Sequence, residues 1–213
     1  MLRISDCFDE VFLAQAQGVY RLCFLLARRK EAARRLTFEA FLRLGAAKAD
    51  SVSDPDKARA LLYRAAVRQC DDYYLSKPHR KPARAQLERM ELPFALTQAL
   101  WETLQLPFSR RAAIGLLAAG FSQEEARALL ARARRLPVRA FSPEDSQLEA
   151  VSRVCMTQED CLAVSDEVYA RFAERSVGVE NALHAVKSAF DRLAPVLLLI
   201  ALALCVAAWR LTG

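Results

Sequence analysis

GFSQEEARALLARARRLPVRAF, residues Gly120–Phe141, opens as a helix and then interrupts itself. Gly120 supplies a turn, and Ser122 followed three residues later by Glu125 is the capping box that starts a helix after one. This is how the first helix of a helix-turn-helix begins, and a second helix should then follow beyond Ala131. Pro137 falls inside that second helix, where a proline removes a donor and clashes one turn back at a cost of ~3 kcal/mol or more. The stretch therefore predicts one sound helix and a defective successor. Arg132, Arg134, Arg135 and Arg139 can hold phosphates there, but direct base readout by a recognition helix is not expected.

The same helical period runs through the rest of the chain. Apolar residues recur at Phe8, Val11, Phe12, Val19, Leu22 and Leu26, and no apolar/polar alternation is sustained anywhere. Six glycines and eight prolines leave little material for turn-rich β structure. The 213 residues, 54% hydrophobic and 26% charged, suit one or two small helical domains, so the expected class is all-α.

Charge divides the chain. Met1–Phe141 carries 25 Lys and Arg against 15 Asp and Glu, whereas Ser142–Gly213 carries 6 against 10. The basic part is the one suited to phosphates. Six cysteines (Cys7, Cys23, Cys70, Cys155, Cys161 and Cys205) are dispersed without a C-x-x-C, and only His79 and His184 could join them. They read as reduced, mostly buried thiols of a cytosolic domain rather than a zinc site or a disulfide frame. There is no Gly-rich phosphate loop, no metal-ligand cluster and no nucleophile paired with a base, so neither an enzyme nor a cofactor is expected.

Near its end the chain reads RLAPVLLLIALALCVAAWRLTG, in which Leu193–Trp209 is a run of 17 uncharged residues. That reaches the lower limit of about 17 residues for a membrane span, and the run shows no polar face of the kind a core helix carries. Arg192 and Arg210 bracket it, with Trp209 as an interfacial aromatic. The excess of basic charge before the span is expected to hold the N-terminal part in the cytoplasm, a tail-anchored topology.

The remaining punctuation sets the order of the parts. A helical domain is expected at 1–76, interrupted at KADSVSDPDKA, where Asp54 can cap and Pro55 can take the first helical position. The basic linker SKPHRKPAR separates it, at 77–84, from a second helical domain at 85–141. An acidic helical extension follows at 142–192 and the membrane helix at 193–209. Within the extension, Ser142 and Pro143 of FSPEDSQ read as a helix start, and TQEDCLAV and SDEVYARF each open on a capping residue with acids in the first turn.

Three segments, in this order, resemble the extracytoplasmic-function sigma factors, the small bacterial initiation factors of RNA polymerase. LTFEAFLRL (Leu36–Leu44) looks like the family's helix that docks on the polymerase core, which implies that Leu36, Thr37, Glu39, Phe41, Leu42 and Arg43 dock. ALLYRAAVRQCDDYYLSK (Ala60–Lys77) is similar to the segment that meets and helps to melt the downstream promoter element. The resemblance places Tyr63, Arg64, Arg68, Tyr73, Tyr74 and Lys77 on promoter DNA, with Arg80, Lys81 and Arg84 of the linker. LQLPFSRRAAIGLLAAGFSQEEARALL (Leu104–Leu130) resembles the domain that binds the upstream element, and Arg132, Arg134, Arg135 and Arg139 follow it.

The resemblance covers Asp6–Phe141 and implies a membrane-anchored factor of transcription initiation, or a degenerate relative that has become a regulatory module. It implies RNA polymerase core and promoter DNA as partners, with an anti-sigma or other regulatory protein as a further one. The chain departs from the family pattern where AARR (Ala32–Arg35) replaces acidic residues, at Phe38 and Arg68, at Arg127 in place of an alanine that packs inside, and at Pro137.

Read without the family, the same residues divide two ways. Leu36, Ala40, Phe41 and Leu44 form an apolar stripe, and Thr37, Glu39 and Arg43 lie away from it. Tyrosines interleaved with arginines are what single-stranded DNA binding requires, and tyrosines at helical spacing are equally what a helical core contains.

The anchor is the first testable point. The full chain should sediment with membranes and resist carbonate extraction, and a chain ending at Ser188 should remain in the supernatant.

Overall fold

The centre of the structure is the C-terminal half of its first helix. The computed structural model describes residues 4–47, 54–76, 84–134 and 142–174, and among these the chain is helical with no strand, as the all-α expectation requires. In α1 (Ile4–Ala27), Val19, Tyr20 and every residue from Leu22 to Ala27 are buried. A helix that packs on one neighbour buries one stripe, whereas one that is apolar all round must be enclosed. α1 is enclosed by α2 (Lys30–Gly45), α3 (Pro55–Ser76) and α6 (Phe108–Ala118), and touches α5 (Phe94–Gln105).

The sequence of α2 makes one face apolar. Ala33, Leu36, Thr37, Ala40, Phe41 and Leu44 are its buried positions, and the Phe41 ring lies 4.7 Å from that of Phe12 in α1. Thr37 sits within that face because its hydroxyl donates to the Ala33 carbonyl at 2.8 Å, which removes the cost of burying it. The expectation that Thr37 lies away from the stripe is thereby corrected. The α1–α2 turn is tight: Arg28 adopts φ 61°, and its N–H closes α1 on the Phe24 carbonyl at 2.7 Å.

α3 begins as the sequence indicates. The Asp54 carboxylate accepts from the backbone N–H of Asp56 at 3.0 Å and of Lys57 at 3.3 Å, with Pro55 in the first helical position. Hydrogen bonding to Lys57, side chain first and then backbone, holds the Asp54 carboxyl below its usual range. Two glycines set the helix spacing around α1. A Cβ on Gly115 of α6 would lie 2.8 Å from Leu22 Cδ1, and one on Gly18 would collide with the Tyr63 hydroxyl of α3.

After α4 (Arg84–Glu88), α5 and α6 each start behind a proline, Pro93 and Pro107. α6 ends on Gly120 at φ 83°, where the Gly120 N–H reaches Leu117 O at 2.9 Å and the Phe121 N–H reaches Leu116 O at 3.1 Å. That pair of bonds is a Schellman motif, and the left-handed residue it needs is the glycine. The capping box follows at once: Ser122 N–H donates to Glu125 Oε2 at 2.7 Å and Glu125 N–H to Ser122 Oγ at 3.2 Å. α7 (Gln123–Arg134) runs from it. Arg127 is exposed, and α7 packs through Ala126, Leu129 and Leu130, so the charge that the family pattern would put inside faces solvent. Pro137 lies outside the described residues.

The extension departs from its expected caps. α8 (Asp145–Ser152) starts at Glu144, whose N–H donates to Gln147 Oε1 at 3.2 Å, and not at Ser142–Pro143. Thr157 caps the next helix by accepting from the Asp160 N–H at 3.1 Å. That helix, α9 at 158–174, continues through Ser165, because a good capping residue does not end a helix that already has its backbone bonds. The chain divides into two compact units, Met1–Tyr169 and Ala170–Gly213, and the helices from α1 to α8 belong to the first. In the second, Arg171 and Glu174 pair at 3.1 Å. Among the described residues no helix is long and apolar enough to cross a membrane; Leu193–Trp209 lies outside them.

Gly120→Ala should destabilise the chain by ~1 kcal/mol, the cost of forcing an L side chain into the left-handed region. Urea unfolding followed by circular dichroism measures it, and Gln123→Ala on the exposed side of the same turn should change stability by much less.

A candidate nucleic-acid interface on α3 and α7

Helical spacing puts Lys57, Arg64 and Arg68 on one side of α3, at intervals of seven and four residues. α7 packs beside α3 and adds Arg132 to that side. The two helices border an open groove of about 500 Å³, with Lys57, Arg59, Arg64 and Arg132 on its walls against the acids Asp56 and Glu125. At its end Arg68 Nη2 donates to the Arg132 carbonyl at 3.2 Å, which sets a cation on the C-terminal turn of α7.

The wall is fixed by an aromatic junction beneath it. Arg59 Nη2 donates to the Ala119 carbonyl at 2.6 Å, and its guanidinium lies 4.0 Å from the Phe121 ring centroid. Phe121 in turn meets Tyr63 edge-on at 4.9 Å. Burial pushes the Tyr63 phenol well above its ordinary value, with Arg59 opposing. The residue that orders α3 against the α6–α7 turn is thus Tyr63, which is only 1% exposed.

Among the residues named from the sequence as DNA-facing, Arg64, Arg68 and Arg132 are brought together, with Arg68 and Arg132 exposed and Arg64 half-buried. Tyr63 is corrected: it is core and has no face open to a base. Tyr73 and Tyr74 are half-buried and point to different neighbours, Tyr73 lying 5.8 Å from the Arg35 guanidinium of α2 and Tyr74 lying 5.6 Å from the Phe108 ring of α6. The expected interleaving of cations and stacking aromatics is therefore not assembled on this face. Arg84 pairs with Glu88 at 3.6 Å, and Arg134 is the last residue of α7. Lys77, Arg80, Lys81, Arg135 and Arg139 lie outside the described residues. Sequence reasoning does not single out Lys57 or Arg59; Lys57 is legible from its spacing to Arg64, whereas Arg59 has its role only through contact with a turn sixty residues away.

The α2 residues that the resemblance assigns to docking divide by depth. Leu36, Thr37 and Phe41 are buried, Glu39 and Leu42 half-buried, and Arg43 exposed. Glu39 pairs with Arg35 at 3.5 Å. With the Gln69 amide nitrogen turned to Glu39, it donates to Oε2 at 2.9 Å while its oxygen accepts from Arg43 Nη2 at 3.2 Å. Glu39 and Arg43 are thereby held by α3 as well as offered to solvent.

Cys23, Cys70, Cys155 and Cys161 are free thiols. Burial, and a hydrogen bond with Cys23, push Cys70 up. Among the described residues no three His, Cys, Asp or Glu side chains are placed to hold a metal ion. No family model, no curated protein and no solved structure matches the chain.

If the face binds phosphates, Arg64→Gln, Arg68→Gln and Arg132→Gln together should flatten the dependence of log K on log salt by about 2 to 3, at roughly 0.9 for each duplex phosphate that is no longer neutralised. Fluorescence anisotropy on a random duplex between about 50 and about 200 mM salt checks it.

Proposed function

We propose that the chain is a membrane-anchored factor of the extracytoplasmic-function sigma type, acting with RNA polymerase core in transcription initiation. The observation that carries this reading is the convergence of Arg64 and Arg68 of α3 with Arg132 of α7 on one open, basic face. Phosphate contacts orient a protein on DNA and supply most of its non-specific affinity, and this face is built for them. The two helical parts are the sigma-like domains of that reading, 1–76 and 85–141. Docking through α2 and anchoring through Leu193–Trp209 in the inner membrane complete it, with the domain on the cytoplasmic side and a regulatory protein of the anti-sigma kind as a further partner. No catalytic residue and no cofactor enters the proposal.

A second reading is favoured by the tyrosines. Melting a promoter needs aromatic faces on which flipped or unpaired bases stack, and Tyr63 is core while Tyr74 packs on Phe108. A chain that keeps the phosphate contacts without the stacking platform is a sigma-like regulatory module that binds DNA or polymerase and does not direct initiation.

Co-purification of the full chain with core RNA polymerase, followed by promoter-dependent run-off transcription, separates the two. Run-off product that requires the chain supports the initiation factor. Stable co-purification without product supports the module, and loss of both, with DNA binding retained, removes polymerase from the proposal.

A further inference from the structure

One arginine has given up water without gaining a partner in exchange. Arg111 of α6 is fully buried, and its Nη1 reaches the Leu104 carbonyl at the end of α5 over a long 3.4 Å. Among the described residues nothing accepts from its Nε or Nη2, so no carboxylate is bonded to the guanidinium. Those two nitrogens form one edge of the group, on which two N–H bonds point the same way and match two oxygens of a carboxylate or a phosphoryl group. A buried charge is tolerated when it is paired and hydrogen-bonded, and is costly otherwise.

A second guanidinium lies at the same end of the bundle. Gly18 of α1 stands beside Ala119, and Gly115 of α6 beside Leu22 and Leu25, so the two helices run antiparallel and the last residues of α1 reach the first turn of α6. Tyr63 meets Phe121 and Tyr74 meets Phe108, which sets α3 antiparallel to α6 in the same way. The end of α1 with Arg28, the end of α3 with Tyr74 and the start of α6 with Arg111 therefore come together, and the Arg111 guanidinium lies 5.9 Å from the Tyr74 ring centroid. Arg28 also leaves its buried Nε without an acceptor. Burial lowers its guanidinium below the ordinary value, with the Tyr74 phenol opposing. The carbonyl ends of α1, α3 and α5 favour cations in this place. They account for positive charge here, but not for two guanidiniums that keep three buried nitrogens unused.

We propose that Arg28, Arg111 and Tyr74 form a binding site for a phosphate dianion, either free or as the terminal group of a phosphate monoester. The Nε/Nη2 edge of Arg111 takes two of its oxygens and Arg28 Nε a third. Two guanidiniums balance two negative charges, whereas a carboxylate or a phosphodiester would leave one cation unanswered. Leu104 and Phe108 are buried and Tyr74 is half-buried, so the ligand enters past Tyr74 and, once bound, ties the end of α3 to the start of α6. The site lies away from the groove, which is bordered by Asp56 to Arg64 of α3 and ends at Arg132 of α7, and it owes nothing to the sigma-like reading.

Thermal unfolding of the full chain tests it, at constant ionic strength, with chloride exchanged for inorganic phosphate or for adenosine monophosphate. A ligand of the folded state raises Tm along a binding curve, whereas general exclusion of salt from the surface does not saturate. At least one of the two probes should give a saturable rise, and which one does so tells the free ion from the monoester. Arg111→Lys keeps the charge and loses the two-pronged edge, and it should weaken the apparent affinity by about tenfold or more, as should Arg28→Gln. Arg64→Gln, Arg68→Gln and Arg132→Gln together should leave it unchanged. Should Arg111→Lys fail to fold, Arg28→Gln at the half-buried position decides alone. A rise that does not saturate with either probe would overturn the site. So would full affinity in the Arg28 and Arg111 variants, or an affinity lost only in the groove variant, which would place the anion between α3 and α7 instead.

Discussion

Enclosure of α1 from Leu22 to Ala27 is the constraint to which the other helices conform. A helix with no solvent face cannot tolerate neighbours of arbitrary thickness, and interiors are packed to crystal density. The spacing is set where side chains are absent: Gly115 brings α6 down onto Leu22, and Gly18 makes room for the Tyr63 hydroxyl. Each buried Leu or Phe contributes ~1.5–3 kcal/mol relative to exposure, so the run Leu22–Leu26 is among the largest apolar contributions in the chain. Because α1 touches α2, α3 and α6, the segments that the sequence separates by a linker share one buried helix.

That sharing decides what Tyr63 does. In a domain standing alone, a tyrosine at its place on α3 would have one face free. Here Phe121, which follows the left-handed Gly120, is set against it, and Arg59 closes the stack by capping the Ala119 carbonyl. The Schellman turn, the aromatic pair and the guanidinium form a single joint between α3 and α7. Its outer surface is the basic groove, so the geometry of the groove is a by-product of core packing beneath it and is more rigid than a loop-borne site would be.

Legibility follows the range of the interaction. The all-α class, the Asp54 cap, the Ser122–Glu125 capping box and the apolar stripe of α2 are readable because each depends on residues within one or two helical turns. The stripe reading fails only at Thr37, whose back-bond to Ala33 hides its polarity. Helix starts in the extension are misplaced at Ser142 and Ser165, since a capping residue is a local permission and tertiary packing chooses among several. At the site, Arg64, Arg68 and Arg132 can be named from charge, but their meeting cannot, because it depends on α7 lying beside α3. Tyr63 carries the opposite signal: its spacing fits core and base stacking equally, and only Phe121, fifty-eight residues away, decides between them.

The distribution of arginines limits what the basic half can do. Twenty-five cationic residues against fifteen acids in Met1–Phe141 indicate a strong field, yet many of these charges are already engaged within the chain. Arg111 is fully buried, with Nη1 on the Leu104 carbonyl at 3.4 Å. Arg59 caps α6, Arg21 and Arg34 hold the extension, Arg35 pairs with Glu39 and Arg84 with Glu88. At the groove Arg68 and Arg132 are exposed and Arg64 half-buried, with Arg68 also bonded to the Arg132 carbonyl, and at a Debye length of ~8 Å in physiological salt only nearby charges feel them. On the proposed reading, phosphate contacts from this groove would position DNA without reading its sequence. Selective occupancy of a promoter would then have to come from a second attachment, and a partner bound through α2 would raise the local DNA concentration by holding both surfaces on one complex.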